Sequence, residues 1–272
     1  MAPSVYFRAM EMNRQTLGQR ISATVQAKQH LVFFASGLAV LDFVAPLLAV
    51  WLPNHRPLAR IIADGRTLFE TLKSPDAAVV GVVAGYLLLA AWLRSGYIRS
   101  IVGTLHLSPQ NGLQFGSMLG LQVITYLYYW VTDAGLRALG NSAPALLVYL
   151  ASLVVLFALL YADYAIVISG LDPLTAIRRS WVTGRNRLSL SVGVMVGFTL
   201  VQVALQALLD PHLTGSFVHM LLLLTVRMLA IGVMTYITDV VLILIYIDAI
   251  ERGVVPPGGR ETVGGGTMNE TR

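Results

Sequence analysis

Charged side chains inside long apolar runs are the first candidates for chemistry in this sequence. The runs hold four of special interest: Asp42, Arg94, Asp163 and Asp239. If the runs cross a bilayer, each ionised group costs about 2.5–3.5 kcal/mol unless it is paired or hydrated. Three carboxylates near one guanidinium leave excess negative charge, which a cation, a proton or a polar headgroup could balance. These residue types predict either ion pairs that fix helix packing, or a site for ions, protons or an anionic substrate at Arg94.

Depth along each predicted helix indicates which of these residues can meet. At 1.5 Å per residue, three lie about 7–12 Å from the same membrane boundary: Arg94, Asp163 and Asp239. Asp42 lies about 16 Å deep, and its side chain is expected to lean back toward Arg94. We therefore predict one inner cluster of four charged residues. Asp133 and Arg227 both fall near 30 Å and are predicted to form a second, outer pair.

Other catalytic and metal-binding patterns are missing from the sequence. It contains no cysteine, so thiolate chemistry and cysteine metal sites are excluded. No His–x–x–x–His spacing, Gly–x–Ser–x–Gly turn or phosphate-binding glycine loop is present. Enzymatic hydrolysis would need Asp163 and Asp239 as an aspartyl pair. We therefore expect no catalytic residues, no metal and no cofactor.

The composition assigns the elements that carry these residues to a membrane. Of the 272 residues, 56% are hydrophobic and only 12% are charged, against about a quarter charged in soluble proteins. Backbone groups in hydrocarbon must bond within their own segment, so apolar runs of this length are predicted to be helices. Six spans are predicted: Leu31–Leu52, Ala77–Ile98, Leu113–Ala134, Pro144–Ile168, Leu188–Leu209 and His219–Ile247. The expected fold is an all-α polytopic membrane helix bundle with about six transmembrane helices and short interfacial helices.

Basic residues predict the orientation of the bundle. With the N-terminus inside, the inner segments hold twelve Lys and Arg residues and the outer loops hold five. This excess predicts a multi-pass membrane protein with both termini in the cytoplasm. Most of the outer charges lie in residues 53–76, where the apolar spacing predicts a helix on the outer surface. Because topology accounts for the net charge of +5, nucleic acid is not an expected partner.

The same pattern divides the chain into three parts. Residues 1–30 are polar and basic and are predicted to be a cytoplasmic amphipathic segment without a cleavable signal peptide. Residues 31–252 are predicted to form the six-span domain. Residues 253–272 are rich in glycine and proline and are predicted to be a disordered cytoplasmic tail.

Three of the predicted spans contain a Gly–x–x–x–Gly pattern. The pairs are Gly81 with Gly85, Gly116 with Gly120, and Gly193 with Gly197. Glycines at this spacing let helix backbones approach closely. We therefore predict that these positions are helix–helix contacts, within the bundle in the first place and between two copies of the chain as the alternative.

A short basic helix is predicted between the fourth and fifth spans, in the stretch "LDPLTAIRRSWVTGRNRLS" from Leu171 to Ser189. Asp172 can cap its start, and Pro173 suits its first position. Gly184 can end it about three turns later.

This short helix is predicted to be amphipathic. Leu174, Ile177 and Trp181 share a face at helical spacing, and Arg178 and Arg179 are turned away from that face. Such a helix lies in the inner headgroup layer with its tryptophan at the boundary and its arginines on anionic lipid. A docking surface for a cytosolic protein is the alternative.

The region around this helix resembles a known family. The order "YADYAIVISG", "DPLTAIRRSW" and "GRNRL" is similar to the bacterial six-span family that includes the membrane domain of some glycerophosphodiester phosphodiesterases. Ala176, Ser180 and Trp181 match the Ala–x–x–x–Ser–Trp-like helix of that family. The resemblance implies a six-span fold in the bacterial inner (plasma) membrane. It implies no catalytic residues, because no soluble phosphodiesterase domain is recognised in the sequence and the family has no established general activity.

Together these features predict a role without catalysis. We expect an integral membrane protein that organises lipid or partner proteins. The expected partners are membrane lipids, with anionic headgroups on the cytoplasmic side, and a membrane or cytosolic protein is a further candidate. The alternative is a small transporter or channel that uses the inner charged cluster.

Overall fold

A computed structural model describes residues 17–54, 77–104, 114–140, 142–209 and 217–253. Most of these residues are helical, and none of them forms a strand, so the predicted all-α class is confirmed. The helices, numbered in chain order, are α1 (Leu17–Ala27), α2 (Leu31–Asn54), α3 (Ala77–Thr104), α4 (Gln114–Leu139), α5 (Ala143–Leu159), α6 (Ala162–Ser169), α7 (Pro173–Asn186), α8 (Leu188–Leu209) and α9 (Phe217–Glu251). The predicted outer surface helix, residues 1–16 and the tail beyond Gly253 lie outside the described residues.

Each predicted span corresponds to helical structure, with two main differences. The fourth span is interrupted at Leu160 and Tyr161, which separate α5 from α6. The second span is longer than predicted, since α3 continues to Thr104. In this added stretch, Ile101 and Val102 are fully buried in the core. In addition, α4 continues five residues past Ala134 and α9 four residues past Ile247. The last helix has 35 residues, about 52 Å at 1.5 Å per residue. It therefore exceeds the thickness of the hydrocarbon layer, as its sequence predicts.

Four helical stretches are long and apolar enough to cross a membrane by themselves: Val79–Gly103, Ala143–Ser169, Leu188–Leu209 and Leu221–Glu251. A fifth would be the pair formed by α1 and α2, whose axes meet at 85°. The described residues therefore have the architecture of a membrane helix bundle with four to five candidate spans. The count of six spans remains a prediction.

Successive long helices are antiparallel, so the bundle has two ends. For example, the start of α4 contacts the end of α6, and the residue before α8 contacts the end of α9. We name the α7 end as the one where α2, α4 and α8 begin and where α3, α6 and α9 finish, and we name the other the far end. Helix α9 packs on α2, α2 on α3, and α3 on α4, while α6 contacts α3, α4, α7 and α9. The main core surrounds α6 toward the α7 end, where Tyr161, Ala165, Ile243 and Tyr246 are fully buried.

The predicted contacts within the bundle are wrong for five of the six paired glycines, while contact between two copies stays a prediction. A methyl group added at Gly81, Gly85, Gly116, Gly193 or Gly197 would have no other atom within 4 Å among the described residues. Only Gly120 is in a tight contact, because a Cβ there would lie 2.9 Å from the ring of Pro173. Among the described glycines, Gly232 of α9 lies closest to the backbone of another helix, since a Cβ there would lie 2.6 Å from the Cα of Ser36 in α2.

Candidate functional site

Three helices bring Arg94, Asp163 and Asp239 together in the core. The Arg94 Nε donates to Asp163 Oδ2 at 2.8 Å. Its two terminal nitrogens bind Asp239 bidentately, with Nη1 to Oδ2 at 2.8 Å and Nη2 to Oδ1 at 2.9 Å. The guanidinium thus joins α6 to α9 through α3, with the planar geometry that favours charge-assisted pairs. We call these three residues the ion cluster.

The ion cluster is shielded by protein. The exposed fractions of the side chains are 18% for Arg94, 16% for Asp163 and 4% for Asp239. The Tyr164 hydroxyl donates to Asp239 Oδ1 at 2.5 Å, and Arg94 Nη2 lies 3.4 Å from the same hydroxyl. The Tyr97 ring lies 5.6 Å from the Arg94 Cζ, within cation–π range. Both carboxylates face the guanidinium, so the arrangement is an ion-pair network rather than two carboxyl groups sharing a proton.

The interruption between α5 and α6 places Asp163 in this network. Asp163 lies in the first turn of α6, where a carboxylate is favoured by the helix dipole. At the interruption, the backbone N–H of Tyr161 donates to Ser180 Oγ at 2.8 Å, and Ser180 is fully buried. The hydroxyls of Tyr161 and Ser191 lie 2.7 Å apart. Polar side chains from α7 and α8 therefore stabilise the break that orients Asp163.

Asp42 does not join the ion cluster. Its Oδ1 accepts a hydrogen bond of 2.9 Å from the Tyr86 hydroxyl, two helical turns from Arg94 along α3 toward the far end. Asp42 and Tyr86 line a cavity of about 370 Å³, together with Tyr126, Tyr129 and Asp133. The predicted inner group of four is therefore a group of three, with Asp42 in a separate cavity.

The predicted pairing of Asp133 with Arg227 is not the arrangement in the structure. Asp133 pairs with Arg137 one turn away on α4, where the Nε to Oδ2 distance is 2.8 Å. Depth alone could not distinguish these partners, because Arg137 follows Asp133 at the i,i+4 spacing that brings side chains together on one helix.

The predicted cap of the basic helix is confirmed, whereas its predicted end is wrong. Asp172 Oδ1 accepts hydrogen bonds of 3.1 Å from the backbone N–H groups of both Leu174 and Thr175. Hydrogen bonds from Thr175 and from Leu174 hold the pKa of the Asp172 carboxyl below its ordinary value. Gly184 does not end the helix, which continues to Asn186. Instead, Gly184 lets the ring of Phe157 approach to 2.8 Å from where a Cβ would be.

The faces of α7 separate protein contact from outer surface. Its buried residues are Ala176, Ser180, Thr183 and Gly184. On the predicted apolar face, Ile177 packs against the core. By contrast, Leu174 is 64% exposed and Trp181 is 41% exposed, with the Trp181 ring edge-on to Phe157. Arg178 is exposed and Arg179 is half-buried, so α7 presents both apolar and cationic groups beyond the bundle.

Several structural residues at the α7 end have no clear signal in the sequence. Arg187 pairs with Asp248, and Arg252 Nε lies 2.9 Å from the same carboxylate. Gln114 donates to the carbonyl of Val167 at 3.1 Å, and the Ser169 and Tyr246 hydroxyls lie 3.0 Å apart. The two tyrosines that contact the ion cluster could have been identified only from their positions in the sequence. Tyr164 directly follows Asp163, and Tyr97 is one helical turn from Arg94.

Neither a metal-binding geometry among the described residues nor a comparison with other proteins identifies an activity. The described residues contain no group of three or more His, Asp or Glu side chains placed to hold a metal ion. The chain matches no protein-family model, no curated protein and no solved structure. The geometry of the site is therefore the basis for the function proposed below.

Proposed function

We propose that this protein is a membrane component without catalytic activity that organises lipid or partner proteins. The observation that supports this proposal best is the closed ion cluster. All three guanidinium nitrogens of Arg94 are engaged by carboxylates, and neither the 370 Å³ cavity nor a second cavity of 810 Å³ is lined by Arg94, Asp163 or Asp239. The Arg94 guanidinium, bound by two carboxylates, fixes the packing of the three helices, because removing either kind of partner leaves an uncompensated buried charge. It has no nitrogen left to bind a substrate.

The outer face of α7 supports a role in contacting lipid. Leu174 and Trp181 are exposed on a helix that also carries Arg178 and Arg185. This combination is typical of helices that lie in a headgroup layer, with apolar groups in the acyl boundary and cations on anionic lipid. We propose that this helix lies on the cytoplasmic surface, in a six-span protein of the bacterial inner membrane. We also propose a relation to the membrane domain of some glycerophosphodiester phosphodiesterases. What supports it is the sequence resemblance at Ala176, Ser180 and Trp181, of which Ser180 accepts the hydrogen bond at the break before Asp163.

The role can be tested by purifying the protein with its surrounding membrane in a styrene–maleic acid copolymer. Mass spectrometry of lipids and peptides should show a lipid class or a protein enriched over the bulk membrane. Replacing Arg178 and Arg179 with Gln should reduce enrichment of anionic lipid, whereas Arg137→Gln at the far end should not. A composition equal to the bulk membrane, with no enriched protein, would contradict the proposed role.

The proposed orientation has a separate test. The chain has no cysteine, so single cysteines report accessibility without background. Arg178→Cys on α7 and Ser142→Cys before α5 replace exposed residues at opposite ends of the bundle. In intact cells, a membrane-impermeant thiol reagent should label the Ser142 variant and not the Arg178 variant. The reverse pattern would invert the orientation.

A small transporter or channel is the second candidate. It is favoured by the 370 Å³ cavity toward the far end of the bundle. Asp42 lies in that cavity beside Tyr86 and within a predicted span, where a carboxylate can serve an ion or proton path. Proteoliposomes with a proton, sodium or potassium gradient would show a flux that Asp42→Asn abolishes. No flux above that of empty liposomes would leave this candidate without support.

A further inference from the structure

A cavity of about 370 Å³ lies between α2, α3 and α4, and we call it the far-end cavity. Its volume is within the range of ligand-binding clefts, about 300–1,000 Å³. On α4, the lining runs from Tyr126 to Leu136, about 15 Å along the helix axis. Tyr126 is near the middle of α4, and Leu136 is one turn from its end at Leu139. The cavity therefore reaches from the middle of the bundle almost to its far end.

Asp42 gives the far-end cavity a negative charge that no cationic side chain contacts among the described residues. Its direct polar contact there is the hydrogen bond of 2.9 Å from the Tyr86 hydroxyl, a neutral donor. Arg94 lies two turns further along α3, about 12 Å by helical rise, and its nitrogens are engaged by the other two members of the ion cluster. The second carboxylate of the lining, Asp133, pairs with Arg137. Asp42 is therefore the carboxylate that a ligand can compensate.

Three tyrosine rings line the same space as this carboxylate. Tyr86 comes from α3, and Tyr126 and Tyr129 come from successive turns of α4. The face of an aromatic ring attracts a cation that lies within about 6 Å of its centroid, and aromatic cages bind quaternary ammonium groups in this way. The aliphatic part of the lining consists of Ala45, Val82, Val83 and Leu136. The far-end cavity thus combines one available negative charge with aromatic and aliphatic walls.

This lining suits an organic cation better than a metal ion. Metal ions such as calcium and magnesium take about six to eight oxygen ligands, whereas most of this lining is apolar. An alkylammonium ion carries carbon at its surface, so it gives up little hydration and gains contact with apolar walls. An anion is disfavoured, because the described lining holds two carboxylates and no Lys, Arg or His.

We propose that the far-end cavity binds a small organic cation, with its alkylammonium group between the Asp42 carboxylate and the tyrosine rings. This site goes beyond the proposed function, because it needs neither lipid organisation nor transport. The same ammonium groups occur in free cations and in the headgroups of phosphatidylcholine and phosphatidylethanolamine. We assign a free cation, because a lipid would also bring its phosphate to a lining without a basic side chain, where burying that charge is costly.

The test measures binding of choline to the full-length protein in dodecyl maltoside micelles by saturation-transfer difference NMR. The comparison ligand is dimethylbutanol, the isostere of choline in which carbon replaces the charged nitrogen. It keeps the shape and the apolar surface of choline and has no charge. Choline should bind, and the isostere should bind at least about tenfold more weakly, because it lacks both the carboxylate contact and the cation–π contacts.

Variants of the lining should separate charge from shape. Asp42→Asn keeps an acceptor for Tyr86 and should weaken choline binding about tenfold, without an effect on the isostere. Asp172→Asn is the matched control, because it removes a carboxylate of α7 outside the cavity, and it should leave choline binding unchanged. Tyr129→Leu should weaken choline binding about twofold to fivefold, the loss of one exposed cation–π contact. Tyr129→Phe keeps the ring and should retain binding.

Several results would overturn this site. Absence of choline binding, or equal binding of choline and its isostere, would show that the cavity does not recognise an organic cation. Equal losses in the Asp42 and Asp172 variants would indicate attraction to the overall charge of the protein. In phosphatidylglycerol nanodiscs, added phosphatidylethanolamine should not affect choline binding, and competition would assign the cavity to lipid headgroups. The proposed function is judged separately by membrane-embedded purification, so the two can fail independently.

Discussion

The two halves of this bundle use charge in different ways. Toward the α7 end, Arg94, Asp163 and Asp239 form a closed network inside a packed core. Toward the far end, Asp42 has a hydrogen bond from Tyr86 and faces a cavity. The described core there is small, with the buried Val79 packed by Val82, Val83 and Tyr126. A carboxylate at membrane depth can thus be stabilised by packing and pairing, or placed where water or a ligand can reach it.

This difference separates structural from functional roles for buried charge. A carboxylate with a bidentate arginine partner is costly to disturb, because removing one partner leaves an uncompensated charge. A carboxylate with one neutral donor beside a cavity can be compensated by water. We therefore expect large stability effects at the α7 end and small ones at the far end.

The largest effect is expected for Arg94→Leu. Because this change leaves Asp163 and Asp239 without their partner, the free energy of unfolding should fall by about 3–5 kcal/mol. Unfolding in mixed detergent micelles with increasing dodecyl sulfate, followed by circular dichroism, measures the loss. Adding Asp239→Asn to Arg94→Leu should restore part of the stability.

The matched control is Arg137→Gln, which breaks the more exposed i,i+4 pair with Asp133. Such pairs contribute about 0.3–0.5 kcal/mol. Equal losses in the Arg94 and Arg137 variants would remove the distinction between the two halves.

A smaller effect is expected where α9 crosses α2. Gly232→Ala would place a Cβ 2.6 Å from the Cα and 2.7 Å from the backbone nitrogen of Ser36. Overpacking of this kind costs about 1–3 kcal/mol. Gly197→Ala is the control, since nothing lies within 4 Å of a Cβ there and alanine is the better helix former. The same unfolding assay should rank Gly232→Ala well below Gly197→Ala, and the opposite ranking would place the crossing elsewhere.

The cap of α7 should contribute about 1 kcal/mol, within the range of about 0.5–2 kcal/mol for such residues. Asp172→Ala removes the acceptor for the N–H groups of Leu174 and Thr175. Hydrogen–deuterium exchange of the α7 amides should accelerate in this variant while exchange around the ion cluster stays slow. Faster exchange in both regions would show that α7 and the core open together.

The same cap predicts a pH dependence. The pKa of the Asp172 carboxyl in the folded protein lies below its ordinary value. Its stabilising contribution is therefore complete above the ordinary value of about 3.9 and is lost as the pH falls through the lowered pKa. Asp172→Asn keeps an acceptor and should make α7 exchange insensitive to pH in this window once intrinsic exchange rates are corrected. An unchanged dependence in Asp172→Asn would assign it to another group.

The smallest effect is expected for Tyr86→Phe at the far end. It removes one hydrogen bond to Asp42, and the neighbouring cavity gives water room to replace the donor. The free energy of unfolding should fall by less than about 1 kcal/mol, within the lower part of the range of about 0.5–1.5 kcal/mol for a single hydrogen bond. A loss comparable to that of Arg94→Leu would show that the far half is held by a closed polar network as well.

The sequence alone determined the fold class and much of the axial arrangement. Long apolar runs must be helical where no water satisfies the backbone, so the helices were predictable to within a few residues at most ends. Helix length also converts residue number into depth, which placed Arg94, Asp163 and Asp239 at one level. The cap at Asp172 was predictable because it depends on three consecutive residues.

Only the tertiary structure decided which residues at one depth meet. Depth gives a position along an axis but says nothing of rotation about that axis or of which helices are neighbours. For that reason Asp42 accepts a hydrogen bond from Tyr86, and Asp133 forms an ion pair with Arg137. The tight crossing is at Gly232 rather than at most of the paired glycines. The interruption at Tyr161 needs Ser180 from a later helix, and the 810 Å³ cavity needs three helix ends side by side. These features arise from packing between distant segments, which local sequence patterns do not encode.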